Sequence, residues 1–485
     1  MRARAAAVAA VSTAAVLALL LLFGGRGARS ADAPRIEFRG AARSVGGSCL
    51  VVTAGGVRFA VDCGSLGEEG GGELPDLPDS LAFVILTHAH TDHCGLLPRL
   101  FEAGFDGPVY CTRATARLAP IMLGMIRGIS GASVARAAFD RTIAGFSEVP
   151  FGREAAHGGV RFRFRRAEHL LGAASVELWL PAGDDTVLLV VSGDIGGGNS
   201  LLVPPAEIPA RADYVVMEST YGGVVRAEAG GSAPGREKFA RAVGEALEAG
   251  GDVLIPAFTL GRTQEVMAVI DRYQRAGVIP PESEVYVDSP TAHKITAVYR
   301  TLREELSEEA RNMYPGEPLR FPSLREVRSR TSMKVHDRRH VPAVFVTSSG
   351  DLSHANSPRH LMRMFEDRGN LLCIIGWQPP GSLGARLLAG ESPVLVRYRE
   401  GNENLEEWID PELSVESSAA FSGHADAAGL LGWISAVRGT RKVFLVHGEE
   451  RNAKALAKSI REALGTDVEI PERGAVRELV PVRGS

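Results

Sequence analysis

Short apolar runs rich in β-branched residues recur from residue 35 onward, and each ends in polar or small residues. Residues 35–39 alternate in the strand period, and 49–52 with 57–61 read as a hairpin about Gly55-Gly56. Further strands are predicted at 81–86, 160–164, 186–191, 214–217, 252–255, 285–287, 344–346, 372–375 and 443–446. Helical patterns lie between several of them, at 114–144, 237–248, 263–275 and 453–464. Strands that are apolar throughout and alternate with helices imply an α/β architecture with buried strands. In such sheets a site forms at the carboxyl ends of the strands, which is where the polar clusters of this chain recur.

The chain has 485 residues, 45% of them apolar, enough for two or three domains with large cores. A net charge of -4 supplies no global basic field, so any nucleic-acid contact must come from a local groove. The five cysteines (Cys49, Cys63, Cys94, Cys111, Cys373) include no C-x-x-C pair and are odd in number, which argues against a disulfide framework or a cysteine zinc site. Arg2 and Arg4 precede an apolar run at 5–23, and small residues come after it, with Ala28-Arg29-Ser30 as a cleavage site. Residues 1–33 therefore read as a signal peptide or, given the length of the run, a membrane anchor, which implies an exported or envelope-tethered protein; a misplaced start codon and a cytoplasmic protein is the alternative. Residues 227–235 read as a Gly/Ala/Ser surface loop, and 325–340 as a locally basic stretch, either a solvated helix face or a nucleic-acid contact.

The densest chemistry lies in Thr87-His88-Ala89-His90-Thr91-Asp92-His93, which spaces its ligands H-x-H-x-D-H after an apolar strand. His88 and His90 are two apart, so a loop leaving a strand, not a helix, must aim both at one metal. Asp92 is placed to cap a helix starting near His93. Imidazole and carboxylate together suit Zn²⁺ and similar divalent ions. Only 12 histidines occur in the chain, and three fall in this stretch. His169, Asp194 and His447 each stand just past a predicted strand and complete a candidate ligand set.

This stretch resembles the signature of the metallo-β-lactamase superfamily, and Glu168-His169-Leu170-Leu171-Gly172 and Ser192-Gly193-Asp194 resemble its later motifs. The resemblance implies that His88, His90 and His169 hold one metal, that Asp92, His93 and His447 hold a second, and that Asp194 bridges the pair, with Asp62 behind them orienting a ligand or the water. Two Zn²⁺ ions are implied, with Mn²⁺ as the alternative.

The long segment between Asp194 and Phe421 is similar to the β-CASP branch of nucleases. It carries Glu218-Ser219-Thr220-Tyr221, Gly261-Arg262-Thr263-Gln264-Glu265, Asp288-Ser289-Pro290 and Ser348-Ser349-Gly350, and Ser422-Gly423-His424-Ala425-Asp426 lies just beyond it. That resemblance implies an αββα sandwich with an inserted α/β domain, divided as 34–212, 213–395 and 396–485. It also implies a phosphodiesterase acting on single-stranded RNA, by endo- or 5′-exonucleolytic cleavage. A metal-bridging hydroxide attacks, and Glu218 and His424 form an acid–base unit in which His424 protonates the leaving oxygen. Arg262, or the backbone of Ser348, Ser349 and Gly350, could grip a phosphate; a salt bridge from Arg262 to Glu265 is the structural alternative. A homodimer is compatible with the branch. The chain departs from the branch at Asp351 and at Ser44. A metallo-hydrolase of another ester or thioester, and a binding protein with a vestigial site, are the competing readings.

Overall fold

A computed structural model describes residues 33–66, 81–129, 134–226, 233–327 and 341–481. Two seven-stranded sheets form the sandwich. The first runs in the order β22 (Val476–Glu478), β1 (Arg35–Phe38), β2 (Leu50–Ala54), β3 (Val57–Val61), β4 (Phe83–Ile85), β5 (Val109–Cys111) and β6 (Phe146–Glu148). The second runs β21 (Asp467–Glu469), β20 (Lys442–Val446), β11 (Tyr214–Glu218), β10 (Asp185–Val191), β9 (Ala174–Ala182), β8 (Val160–Arg166) and β7 (Glu154–His157). Their inner faces share one core, in which Phe38, Phe59, Phe83, Phe162, Phe164 and Phe444 are almost fully buried. Helix α11 (Ala427–Ala436) and helix α12 (Glu450–Leu464) cover the outer face of the second sheet with Leu430, Trp433, Leu456 and Ile460.

The insert leaves the sandwich after β11 and returns at β20, and these two strands are parallel neighbours, with Glu218 opposite Val446. It holds a six-stranded, wholly parallel sheet ordered β14 (Leu324–Glu326), β13 (Val285–Asp288), β15 (Val344–Thr347), β12 (Val253–Pro256), β16 (Leu371–Ile374) and β19 (Ser414–Ser417). A hairpin, β17 (Val394–Glu400) with β18 (Glu403–Ile409), projects from it. Helix α5 (Ala233–Glu248), helix α6 (Arg262–Arg275) and helix α7 (Pro290–Thr301) flank this sheet, and their apolar faces merge with helix α3 (Arg113–Ile129) of the sandwich in one continuous core. The αββα sandwich with an inserted α/β domain is therefore the architecture of the chain.

Three local expectations change. The helix after the histidine motif, α1, spans Thr91–Cys94, so Asp92 lies in its first turn and caps nothing; its carboxylate turns to His447 instead. Residues 233–235 open α5, since proline at the start of a helix loses no hydrogen bond. Arg325 lies on β14 and pairs with Glu284, so it belongs to no helix, and 328–340 fall outside the described residues. The apolar segment 5–23 is also outside them. No helix among the described residues is long and apolar enough to cross a membrane.

Candidate active site

In the second sheet β8, β10, β11 and β20 run in one direction, because β9 pairs antiparallel with both β8 and β10 while β10, β11 and β20 pair in parallel. Their carboxyl ends therefore meet at one edge and deliver His169, Asp194, Glu218 and His447. From the first sheet, β3 and β4 are parallel and deliver Asp62 and His88 to the same edge. Asp62, Glu168 and His447 hold positive φ (62°, 63° and 48°), a conformation that costs a residue with a Cβ and persists where the surroundings impose it.

The expected ligands converge in two groups around Asp194. Its Oδ2 lies 3.5 Å from His88 Nε2 and 3.6 Å from His169 Nε2, and His90 Nδ1 is 3.0 Å from that His169 nitrogen. Its Oδ1 lies 3.3 Å from His93 Nε2 and 3.5 Å from His447 Nδ1, and Asp92 Oδ2 is 3.1 Å from His447 Nε2. Ligand atoms about 2.1 Å from a tetrahedral centre stand about 3.4 Å apart, so the spacing fits a metal ion in each group.

The second nitrogen of each ring settles which atoms carry lone pairs. His169 Nδ1 lies 2.7 Å from the Gly423 carbonyl and His90 Nε2 lies 3.4 Å from the Leu260 carbonyl. A carbonyl only accepts, so both nitrogens carry hydrogen and the opposed pair 3.0 Å apart is bare. His93 Nδ1 donates to Asp62 Oδ2 at 2.7 Å. The Thr87 hydroxyl donates to the same carboxylate at 2.9 Å and accepts from His88 Nδ1 at 3.1 Å. Thr220 gives its hydroxyl hydrogen to the His447 carbonyl and accepts from His447 Nδ1 at 3.1 Å, which aims His447 Nε2 at Asp92. In the first group the bare nitrogens of His90 and His169 thus face each other at hydrogen-bond distance with no donor between them, and His88 Nε2 and Asp194 Oδ1 are buried without a hydrogen-bond partner. That arrangement fits cations, and each ring is aimed from behind.

Burial holds His88 and His169 well below the ordinary histidine range and lowers His90 to about 4, so this trio is neutral and free to donate lone pairs. In the other group burial also disfavours charge, but the carboxylates overcome it: Asp194 and Asp62 raise His93 well above its usual value, and Asp194 with Asp92 raises His447 to about 9.

Beside Asp194 a second pair forms. Both carboxylate oxygens of Glu218 lie 3.1 Å from His424 Nδ1, and Glu218 Oε1 accepts the Ile195 backbone N–H at 2.6 Å. His424 Nδ1 is 3.9 Å from Asp194. Arg262 reaches this corner from α6; a Cβ placed on Gly423 would lie 1.7 Å from its Nη2. The alternative salt bridge is not formed, because Glu265 accepts from the Ser200 hydroxyl and the Leu201 N–H. Ser348 and Ser349 stand at the end of β15. Ser348 bonds Ser289 and Thr259, and Ser349 donates to Asp351 at 2.6 Å, so their hydroxyls are engaged away from the ligand cluster. Gly350 packs on Phe258. Thr87, Thr220, Tyr221 and Arg226 belong to the site's support; the first three lie within the motifs without a role that the sequence assigns, and Arg226, 198 residues from His424, carries no sequence signal.

Three family models match successive parts of the chain: the metallo-beta-lactamase superfamily over residues 43–228, the Beta-Casp domain over 263–387, and the Zn-dependent metallo-hydrolase RNA specificity domain over 409–471. Ribonuclease TTHA0252 of Thermus thermophilus is 34% identical over 435 residues, 87% of this chain and 95% of that protein. A transcription termination factor FttA of Methanocaldococcus jannaschii is 31% identical over 90% of this chain and 70% of its own, and an RNase J-like protein of the same organism is 27% identical over 91% and 99%. A solved structure of a protein of unknown function from Enterococcus faecalis shares the fold with a TM-score of 0.54 at 12% identity, covering 92% of this chain and 100% of that one.

Proposed function

The chain belongs to the β-CASP branch of the metallo-β-lactamase superfamily, and from that premise we propose a two-zinc ribonuclease that hydrolyses phosphodiester bonds of single-stranded RNA where the insert meets the sandwich. The observation that carries the reading is the Glu218–His424 pair set against Asp194, whose two oxygens face the two ligand groups. Metal-dependent hydrolysis needs the ligand groups alone; expulsion of an alkoxide, a poor leaving group, needs a proton as well.

His88, His90 and His169 would hold one ion, Asp92, His93 and His447 the other, and Asp194 both. When bound, such ions supply positive charge to the phosphate oxygens and lower the pKa of an attacking water. His424 delivers a proton to the departing oxygen as the P–O bond breaks. The hydrogen on Nδ1 is held by Glu218, so the transferable proton is the one on Nε2. Glu218 is fixed by the Ile195 N–H and steadies the positive charge on the imidazole until the proton leaves. Arg262, which has no carboxylate within 4.0 Å among the described residues, is placed to meet a phosphate oxygen. The match to an RNA specificity domain at 409–471 and the ribonuclease among the relatives support RNA as substrate.

The test is cleavage of a 5′-labelled single-stranded RNA with added Zn²⁺ or Mn²⁺, beside His424→Ala and Asp194→Ala. Loss of cleavage in both variants is the expected result, and product lengths separate internal cutting from stepwise removal. Untouched RNA together with hydrolysis of a simple phosphodiester or thioester would keep the metal site and discard the substrate.

A further inference from the structure

Arg226 meets the segment that carries His424 through its side chain at one point and its backbone at another, its guanidinium also covers Tyr221, and no carboxylate lies within 4.0 Å of that guanidinium among the described residues. Its Nη1 donates to the His424 carbonyl at 3.1 Å. The guanidinium stacks over the Tyr221 ring, 4.3 Å from the centroid, and that ring meets the His424 imidazole edge-on at 5.9 Å. The Arg226 backbone N–H donates to Asp426 Oδ2 at 3.2 Å, while Asp426 Oδ1 caps α11 through the Gly429 N–H at 3.0 Å. Glu218 fixes the imidazole at Nδ1, and His169 packs on the ring with centroids 4.5 Å apart, so a tilt about the Nδ1 contact remains open only away from His169. Tyr221 closes one side of the tilt, and Tyr221 is itself held by Arg226. The main chain at 424 is held by the same guanidinium, with the Ser422 hydroxyl as a second donor to that carbonyl at 3.0 Å.

We propose that Arg226 is a positioning residue for proton delivery: through the His424 carbonyl and the Tyr221 ring it sets the angle at which His424 Nε2 meets the leaving oxygen. The proposal rests on His424 being the acid of the reaction. It predicts a defect that depends on how much the leaving group needs a proton. In hydrolysis of RNA the P–O bond breaks to an alkoxide that must be protonated. In hydrolysis of bis(p-nitrophenyl) phosphate the same bond type breaks to a phenolate that departs without one.

The experiment measures kcat and KM on single-stranded RNA and on bis(p-nitrophenyl) phosphate for the full chain and for Arg226→Ala, Arg226→Lys and His424→Ala, with thermal unfolding of each. For Arg226→Ala the expected result is a fall in kcat on RNA of about 100-fold, with KM and the activated diester changed by no more than about 3-fold. Arg226→Lys, which keeps a donor and a cation for the ring, should restore about 10-fold of that loss. Equal losses on both substrates, a change confined to KM, no loss at all, or a lysine variant no better than alanine would each overturn the inference. His424→Ala separates the two levels. If it shows no preference for the activated substrate, the acid assignment itself fails. If it shows the preference and Arg226→Ala does not, only the role of Arg226 falls.

Discussion

Replacing Asp62 with asparagine should weaken the binding of both metal ions at a modest cost to the fold. Asp62 is 4% exposed and accepts three hydrogen bonds: the Thr87 N–H at 2.8 Å, the Thr87 hydroxyl at 2.9 Å and His93 Nδ1–H at 2.7 Å. The last two meet on Oδ2. In Asp62→Asn the Oδ1 oxygen still accepts from Thr87 N–H, and an NH₂ group takes the place of Oδ2. Every bond beyond it then reverses. The amide donates to Thr87 Oγ1 and to His93 Nδ1, and the Thr87 hydroxyl donates to His88 Nδ1. The network stays satisfied, so the metal-free protein loses only the difference between bonds to a charged and to a neutral acceptor, about 1–2 kcal/mol. The reversal moves a proton onto Nε2 of both His88 and His93, the atoms that face Asp194. One ligand in each group is then blocked. A lost support of this kind costs about 10–100-fold in metal affinity, or about 1.4–2.7 kcal/mol per ion. Competition for Zn²⁺ against a chromogenic chelator, with urea unfolding of the metal-free protein, measures both quantities. Wild-type affinity in Asp62→Asn, or a metal-free protein that loses more than about 3 kcal/mol while affinity holds, would refute the proton assignment.

Thr87→Val removes the acceptor of His88 Nδ1 and leaves the His93–Asp62 bond in place, so metal titration should show one of two ions weakened by about 10-fold or more. Gly423→Ala puts a methyl group 1.7 Å from Arg262 Nη2, the far end of a flexible side chain, so the fold should tolerate it while Arg262 is displaced. Steady-state kinetics should then show KM for RNA raised about 10–100-fold in Gly423→Ala, the same rise in Arg262→Ala, and no further rise in the double variant, whereas additive effects would place Arg262 elsewhere in function. His360, buried with its Nε2 2.9 Å from Asp288, is held below the ordinary histidine range by burial, which Arg359 and Arg363 reinforce against the pull of Asp288. As pH falls below about 6.5 the unfolded chain therefore takes a proton that folded His360 refuses, and stability declines. Urea midpoints between pH 7 and 5 should fall less steeply in His360→Gln, by up to about 1.4 kcal/mol per pH unit, and identical slopes would show that His360 takes no part.

The cluster of candidate ligands was legible because its members follow strands readable from local residues, an apolar run before His88, Asp194 and His447 and an alternating one before His169. Strand β9 was not, because every residue from 174 to 178 is buried, so no alternation marks it off from the histidine motif before it. The hairpin β17–β18 was missed for the opposite reason: charged residues lie on both of its faces, and only the cross-strand register reveals it. Asp92 has the residue type and position of a helix cap, and a residue far along the chain, His447, decides where its carboxylate points. The Asp62–Thr87 relay lies equally beyond a sequence reading, since it is defined by the direction of hydrogens in a network that joins residues 62, 87, 88 and 93.

The position of the insert gives the two-domain layout its chemical sense. It departs after Glu218, and the chain comes back past the site at Gly423 and His424 before α11 carries it to the start of β20, so what the insert builds begins and ends at the reaction centre. Two of its contributions are backbone carbonyls: Leu260 fixes His90, and Gly423, on the returning strand of chain, fixes His169. The first ligand group therefore depends on the insert for the tautomers of two of its three imidazoles, while the second is supported by Asp62 and Thr220 next to the sandwich strands. A motion that lifts the insert to admit or release a strand of RNA would loosen the first group and leave the second intact. The ion held by His88, His90 and His169 should accordingly exchange faster than its neighbour, and saturating RNA, by holding the insert down, should slow that exchange.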